Sequence, residues 1–98
     1  MTAVPNFSTG RKSSIGTTAL QLTTNTTKAD RGVQITAGAG NSATIYVGLH
    51  NVTVDSADDT DGFPLAAGES ILVPVRDATK VYVVASTGTN SKVFFMLV

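Results

Sequence analysis

The side chains best suited to chemistry are the carboxylates Asp55, Asp58, Asp59 and Asp61, crowded into the tract DSADDTDG. Carboxylates at this density are the ligand type of Ca²⁺. Their spacing does not follow an EF-hand loop: with Gly62 at the sixth position, the first ligand position falls on Ala57 and the twelfth on Gly68. The tract reads as a solvated acidic loop, with a structural Ca²⁺ as the less favoured alternative. His50 is the only histidine and cysteine is absent, so a zinc centre would have to be built from carboxylates, unlike the His and Cys sets that hold zinc. No Gly-x-Ser-x-Gly elbow accompanies it, and His50 reads as a polar residue at a strand end. Residues 8–14, STGRKSS, lack the order of a phosphate loop and the flanking strand and helix. Asn6, Asn25 and Asn51 begin glycosylation sequons, which a Thr-rich chain produces by chance. The expectation is a protein with no enzymatic activity and no cofactor.

The elements that must carry these residues are strands. Thr is the commonest residue and Val follows, nine Gly are present, and Leu, Glu and Lys are scarce. β-Branched residues suit a pleated surface, and no window shows helical periodicity. With 98 residues the chain makes one domain. A domain of this size buries only roughly 60–65% of its unfolded surface, so its own core is modest. Seven basic residues balance seven acidic ones, leaving no global field to attract nucleic acid or an acidic membrane. Aromatic and basic residues are not interleaved as a single-stranded nucleic-acid platform requires. No apolar run approaches the length of a membrane span, and the N-terminus lacks the apolar stretch of a signal peptide, which implies synthesis in the cytoplasm.

In order, residues 1–14 read as a flexible arm with Val4 and Phe7 as its sizeable apolar residues and Arg11 and Lys12 as its charges. Residues 15–98 read as the folded domain. Alternating apolar residues predict strands over 15–23, 31–37, 43–49, 71–75, 81–85 and 92–98, with a small one at 52–54 and an edge or irregular segment around Pro64. Short turns predict hairpins between 31–37 and 43–49 and between 71–75 and 81–85. The outcome is an all-β, small antiparallel β-sandwich or jelly-roll-like domain of six to eight short strands.

Three strands carry more apolar surface than one core-facing side needs. Leu72 lies opposite the inward set of 71–75, Tyr82 and Val84 lie opposite that of 81–85, and Phe94, Met96 and Val98 oppose Val93, Phe95 and Leu97. This surplus is expected to meet another subunit, with Phe94, Met96 and Val98, joined by Tyr82 or Leu72, as the contact. The arm, through Phe7, Arg11 and Lys12, is expected to lie on or pair with a neighbouring shell protein.

The succession RGVQIT (31–36), ATIYVG (43–48), GFPLAAGESILV (62–73), VYVVAS (81–86) and an apolar closing strand resembles a group of small virion proteins of tailed bacteriophages. The resemblance covers roughly residues 15–98, and residues 54–61 depart from it as a long acidic insert. It implies a β-sandwich or jelly roll of the particle surface: a head decoration (cement) protein, a head fibre or a tail component. It further implies a homotrimer seated on a major capsid protein, located on the virion, with no catalytic residues. The alternative is a tail or fibre component with a carbohydrate-binding sandwich, which the absence of Trp and the presence of only two Tyr make the weaker reading.

Overall fold

The computed structural model describes residues 8–26 and 28–98. Its strands are β1 (Ser8–Ile15), β2 (Leu20–Gln21), β3 (Val33–Ala37), β4 (Ile45–Gly48), β5 (Phe63–Leu65), β6 (Ser70–Val73), β7 (Tyr82–Ala85) and β8 (Ser91–Leu97), with a 3-10 turn at Ala78–Lys80. Two four-stranded antiparallel sheets result, sheet A in the order β1-β8-β3-β6 and sheet B in the order β2-β7-β4-β5. β1 pairs with β8, β2 with β7, β3 with β6 and β4 with β5. The chain is thus one long hairpin, its tip between β4 and β5, rolled so that successive rungs fall in opposite sheets. That is the jelly roll, and the all-β sandwich expected from the alternation is the fold observed.

Neither expected hairpin forms. β3 lies in sheet A and β4 in sheet B; β6 lies in sheet A and β7 in sheet B. The physical reason is that strands facing one another across a sandwich share a core just as strands paired side by side do. Alternation therefore reports burial and does not report the partner. At the second corner Pro74 cannot donate to a ladder, and the chain leaves sheet A there. Asp77 then caps the 3-10 turn by accepting from the Thr79 hydroxyl and from its N–H at 3.0 Å, and it meets Lys28 Nζ at 3.2 Å. The Thr79 hydroxyl and N–H, then Lys28, hold the Asp77 carboxyl down at about 2. The expected strand at 52–54 reduces to a single parallel bridge, Thr53 to Asp61. The segment around Pro64 is an edge strand, β5, as its proline requires.

Residues 8–14, read from sequence as part of a flexible arm, are most of β1, and Phe7 lies outside the described residues. The apolar content that β1 lacks comes from its neighbour. Gly10 stands opposite Phe95, and a Cβ at Gly10 would sit 2.5 Å from Phe95 Cζ, so the ring covers the glycine. A shift of register between Lys12 and Ile15, with Ser14 at φ 56°, then turns Ile15 into the core, where it is fully buried.

The core lies between the sheets. Val33, Ile35, Val93 and Leu97 of sheet A meet Ile45, Leu65, Val83 and Ala85 of sheet B, all buried. The two-faced strand β8 sits centrally, between β1 and β3. Its inward residues Val93, Phe95 and Leu97 are buried, while Phe94 remains 45% exposed.

Candidate functional site

The ladder registers place the outward side chains of sheet A in two rows. One runs Arg11, Phe94, Thr36, Ser70; the next runs Thr9, Met96, Gln34, Leu72. Thr36 and Ser70 join their hydroxyls at 2.6 Å across the ladder. Thr9, Arg11, Gln34, Thr36, Phe94 and Met96 line an open, shallow depression. Phe94 and Leu72 are two of the four large apolar side chains that the described residues expose. Val98 continues the outward set of β8 and is half-buried, its N–H donating to Gly32 O at 3.0 Å and its carbonyl accepting from Arg31 N–H at 2.7 Å. Four of the residues expected at an interface, Leu72, Phe94, Met96 and Val98, thus belong to one face.

The same face is cationic. The four strands of sheet A contain Arg11, Lys12 and Lys92 and not one Asp or Glu. Lys92 Nζ stands 5.9 Å from the centroid of the Phe94 ring, within range of a cation–π attraction. Arg11 lies opposite Phe94 on the adjoining strand. Lys12, one position on, falls on the other face of β1, opposite Val93. Of the two arm charges expected to act together, only Arg11 joins this face.

Tyr82, expected as a possible companion of Phe94, is in sheet B, opposite Gln21 and Gly48. Its ring meets His50 edge-on, 6.5 Å between centroids at 76°. It does not share a surface with Phe94. The outer side of sheet B is covered by the chain between β4 and β5. Val52 and Val84, both buried, stand outside the main core and flank one depression with Thr53, Val54 and Ser56. Val52 fits against two glycines: a Cβ at Gly48 or Gly62 would come within 2.7 Å of its Cγ2.

Asp61 holds this cover in shape. Its Oδ1 accepts from the Thr53 hydroxyl at 2.7 Å and from the N–H groups of Ser56 at 3.0 Å and Ala57 at 3.1 Å. The Ala57 N–H, then the Thr53 hydroxyl and the Ser56 N–H, keep its carboxyl below the usual carboxylate range. One of the four crowded carboxylates is therefore occupied in fixing the loop. Asp55, Asp58 and Asp59 face solvent. Among the described residues no three His, Asp or Glu side chains converge to hold a metal ion.

A second apolar feature lies where the two sheets gape. An open groove of about 300 Å³ runs between β6 on one side and β4 and β5 on the other. Leu49, Phe63 and Leu72 stand on its rim, 64%, 57% and 51% exposed. Ile71, Val73 and Val75 on its wall are core residues that remain only half-buried. Sequence reasoning did not single out Leu49 or Phe63. Leu49 continues the inward set Ile45 and Val47, but β4 ends at Gly48 and the chain turns out. Phe63 carries one usable signal, its place beside Pro64 on an edge strand that cannot be central.

No protein-family model, curated protein or solved structure matches this chain. What the fold and surfaces define is a class: a small jelly roll in which, among the described residues, one cationic–apolar face is left exposed and one side is incompletely closed.

Proposed function

We propose that this chain is a structural virion protein, a capsid decoration protein of a tailed bacteriophage, which docks on a major capsid protein and sits on the shell as a homo-oligomer. The observation that carries the reading is the outer face of sheet A, which the described residues leave exposed. Phe94, Met96 and Leu72 offer apolar area at the centre, Arg11 and Lys92 supply charge, and no strand of that sheet bears a carboxylate. Two copies of such a face would oppose like charges, which costs free energy at an interface. A partner with apolar and acidic groups suits it better, and on a shell lattice any such surface would recur at every repeat. Jelly rolls serve in capsids and in lectins alike, so the fold alone does not select the role. The strand-by-strand resemblance to small phage virion proteins favours the capsid.

A second reading, a sugar-binding tail component, draws on the Phe94 ring framed by Arg11, Gln34 and Thr36, an aromatic plate with polar side chains at its border. Reproducible hits on a glycan array that vanish in Phe94→Ala would move the assignment there.

The direct test is co-sedimentation with phage heads assembled without this chain. The wild type should bind at a fixed ratio to the shell protein, more weakly as salt rises. Met96→Lys, with its melting temperature checked against the wild type, should stay in the supernatant. Undiminished binding of that variant would remove the face from the proposal.

A further inference from the structure

We infer that β6 is a pairing edge: two copies of this chain join antiparallel along it, about a two-fold axis at Ile71. Sheet A then runs on from one copy into the other, and the open sides of the two sandwiches close against each other. The inference needs nothing of the virion reading; it takes the homo-oligomer proposed there to be a two-fold pair in place of the trimer that the resemblance implies.

Among the described residues the four sheet edges differ in how they are protected. β1 carries Arg11 and Lys12 and breaks its register between Lys12 and Ile15, with Ser14 at φ 56°. β2 has two residues, and β5 has three with Pro64 in the middle. Charge, bulges, very short strands and proline are the devices that keep an edge from taking up another strand. β6 holds an unbroken register against β3 and bears neither charge nor proline. Its core-facing Ile71 and Val73 are only half-buried, whereas Ile35 and Val33 opposite them are fully buried. Leu49, Phe63 and Leu72, three of the four large apolar side chains that the described residues expose, border the same opening. The least protected edge thus adjoins the largest apolar exposure.

The main chain of β6 is set for an antiparallel partner. Ala37 N–H donates to Glu69 O at 2.9 Å, and bonded pairs in such a ladder recur at every second residue. Ile71 and Val73 therefore turn their N–H and C=O groups to Ile35 and Val33, while Ser70 and Leu72 turn theirs to the open edge. A second β6 laid antiparallel with Ile71 opposite Ile71 sets Ser70 against Leu72 on both sides of the axis. Each of those pairs exchanges both of its main-chain bonds. The two Ile71 residues form the non-bonded pair at the axis, where cross-strand side chains approach most closely.

Charge favours a second copy as the occupant. Glu69 stands just before β6, and Arg76 and Lys80 follow it, all three exposed. Antiparallel pairing brings the acidic end of one strand toward the basic end of the other, twice over. Arg11 and Lys92 lie on β1 and β8, two or more strands away from the axis, so the cations of the two copies stay apart. Residues directly opposite in a ladder point to the same face, so the two outer faces of sheet A look the same way. The guarded edge at β1 gives the pair no place to add a third copy by strand pairing, and the assembly closes at two.

The chain has no cysteine, so single cysteines report the register. Under mild oxidation Ile71→Cys should form a disulfide-linked dimer at least tenfold more abundant than Ser70→Cys or Leu72→Cys alone. In those two variants the like residues stand diagonally, about 8 Å apart, beyond the reach of a disulfide. An equal mixture of Ser70→Cys and Leu72→Cys should give the mixed dimer. Without oxidant the wild type should sediment as a dimer and Ile71→Lys, which aims a charge at the axis, as a monomer. Leu72→Pro removes an N–H that β3 does not use; it should also sediment as a monomer and serves where Ile71→Lys fails to fold. A wild type that stays monomeric at every concentration overturns the inference, as do equal linkage at all three positions and a dimer that survives both variants. A monomer whose Ile71→Cys thiol is shielded from alkylation only when heads are present assigns the opening to the shell protein instead. Linkage at Ile71 without binding to heads upholds the pair and removes the shell reading; binding to heads by a monomer that does not link does the reverse.

Discussion

The two outer faces of this sandwich start from the same difficulty and resolve it differently. Each sheet carries apolar residues that point away from the core: Val84 on sheet B, and Phe94, Met96 and Leu72 on sheet A. On sheet B the chain supplies its own cover, an insert that lays Val52 beside Val84 and is tied by Asp61. On sheet A nothing in the described residues lies over Phe94. The difference teaches which surplus is internal architecture and which is left for a partner. The charges follow the same division. The acidic tract lies over sheet B, and the strands of sheet A hold only cations, so a net charge of zero conceals two unlike surfaces.

The sharpest way to break this contrast is to place the same charge on both faces. Val84→Asp buries a carboxylate without a partner and should lower stability by about 3 kcal/mol or more in urea unfolding. Phe94→Asp at an exposed position should change it by no more than about 0.5 kcal/mol while abolishing binding to heads. Equal losses of stability would mean that sheet A is covered as well. A smaller effect is expected from Gly10→Val, whose side chain must displace the Phe95 ring or lift β1; overpacking of this kind costs roughly 1–3 kcal/mol. Hydrogen exchange should then quicken along β1 and the adjoining edge of β8, with sheet B unaffected.

Asp61→Ala should leave the core intact and loosen the cover, read as new proteolytic cleavage within 53–61 and a modest fall in melting temperature. The gentlest probe is acid. Asp61 and Asp77 both have carboxyl groups depressed in the folded state. A depressed carboxyl contributes stability that is fully present above its unfolded value and lost as pH falls through the folded one. For Asp77 that window runs from 3.8 down to about 2. Melting temperature should fall across it, and less steeply in Asp77→Asn than in the wild type.

Much of the fold could be read from alternation. Val33, Ile35 and Ala37, and likewise Val93, Phe95 and Leu97, stand inward as their spacing requires. Partnership could not be read, because Ile71 and Val83 look the same whether their strands are bonded or face one another across the core. The surplus on β8 was legible for the same reason the core was: Phe94 and Met96 break the rule that one side of a strand should be polar. Tyr82 obeyed the same pattern but sits on the other sheet, and only topology separates them. Leu49 carried a misleading signal, continuing the alternation of Ile45 and Val47 that predicts an inward side chain, although β4 ends at Gly48 and the residue is exposed; Phe63 gave no periodic signal, standing alone beside a turn. The strand nature of residues 8–14 was hidden because the apolar cover for Gly10 is contributed by Phe95, far away in sequence.

The central place of β8 has a consequence for how the molecule comes into being. Sheet A joins β1 to β3 only through residues 91–97, so no emerging fragment that lacks them can assemble it. Until then β3 would offer one naked flank to any passing strand, and pairings so distant along the chain close slowly. Closure of sheet A therefore waits on β8 taking its place between the first strand and the third.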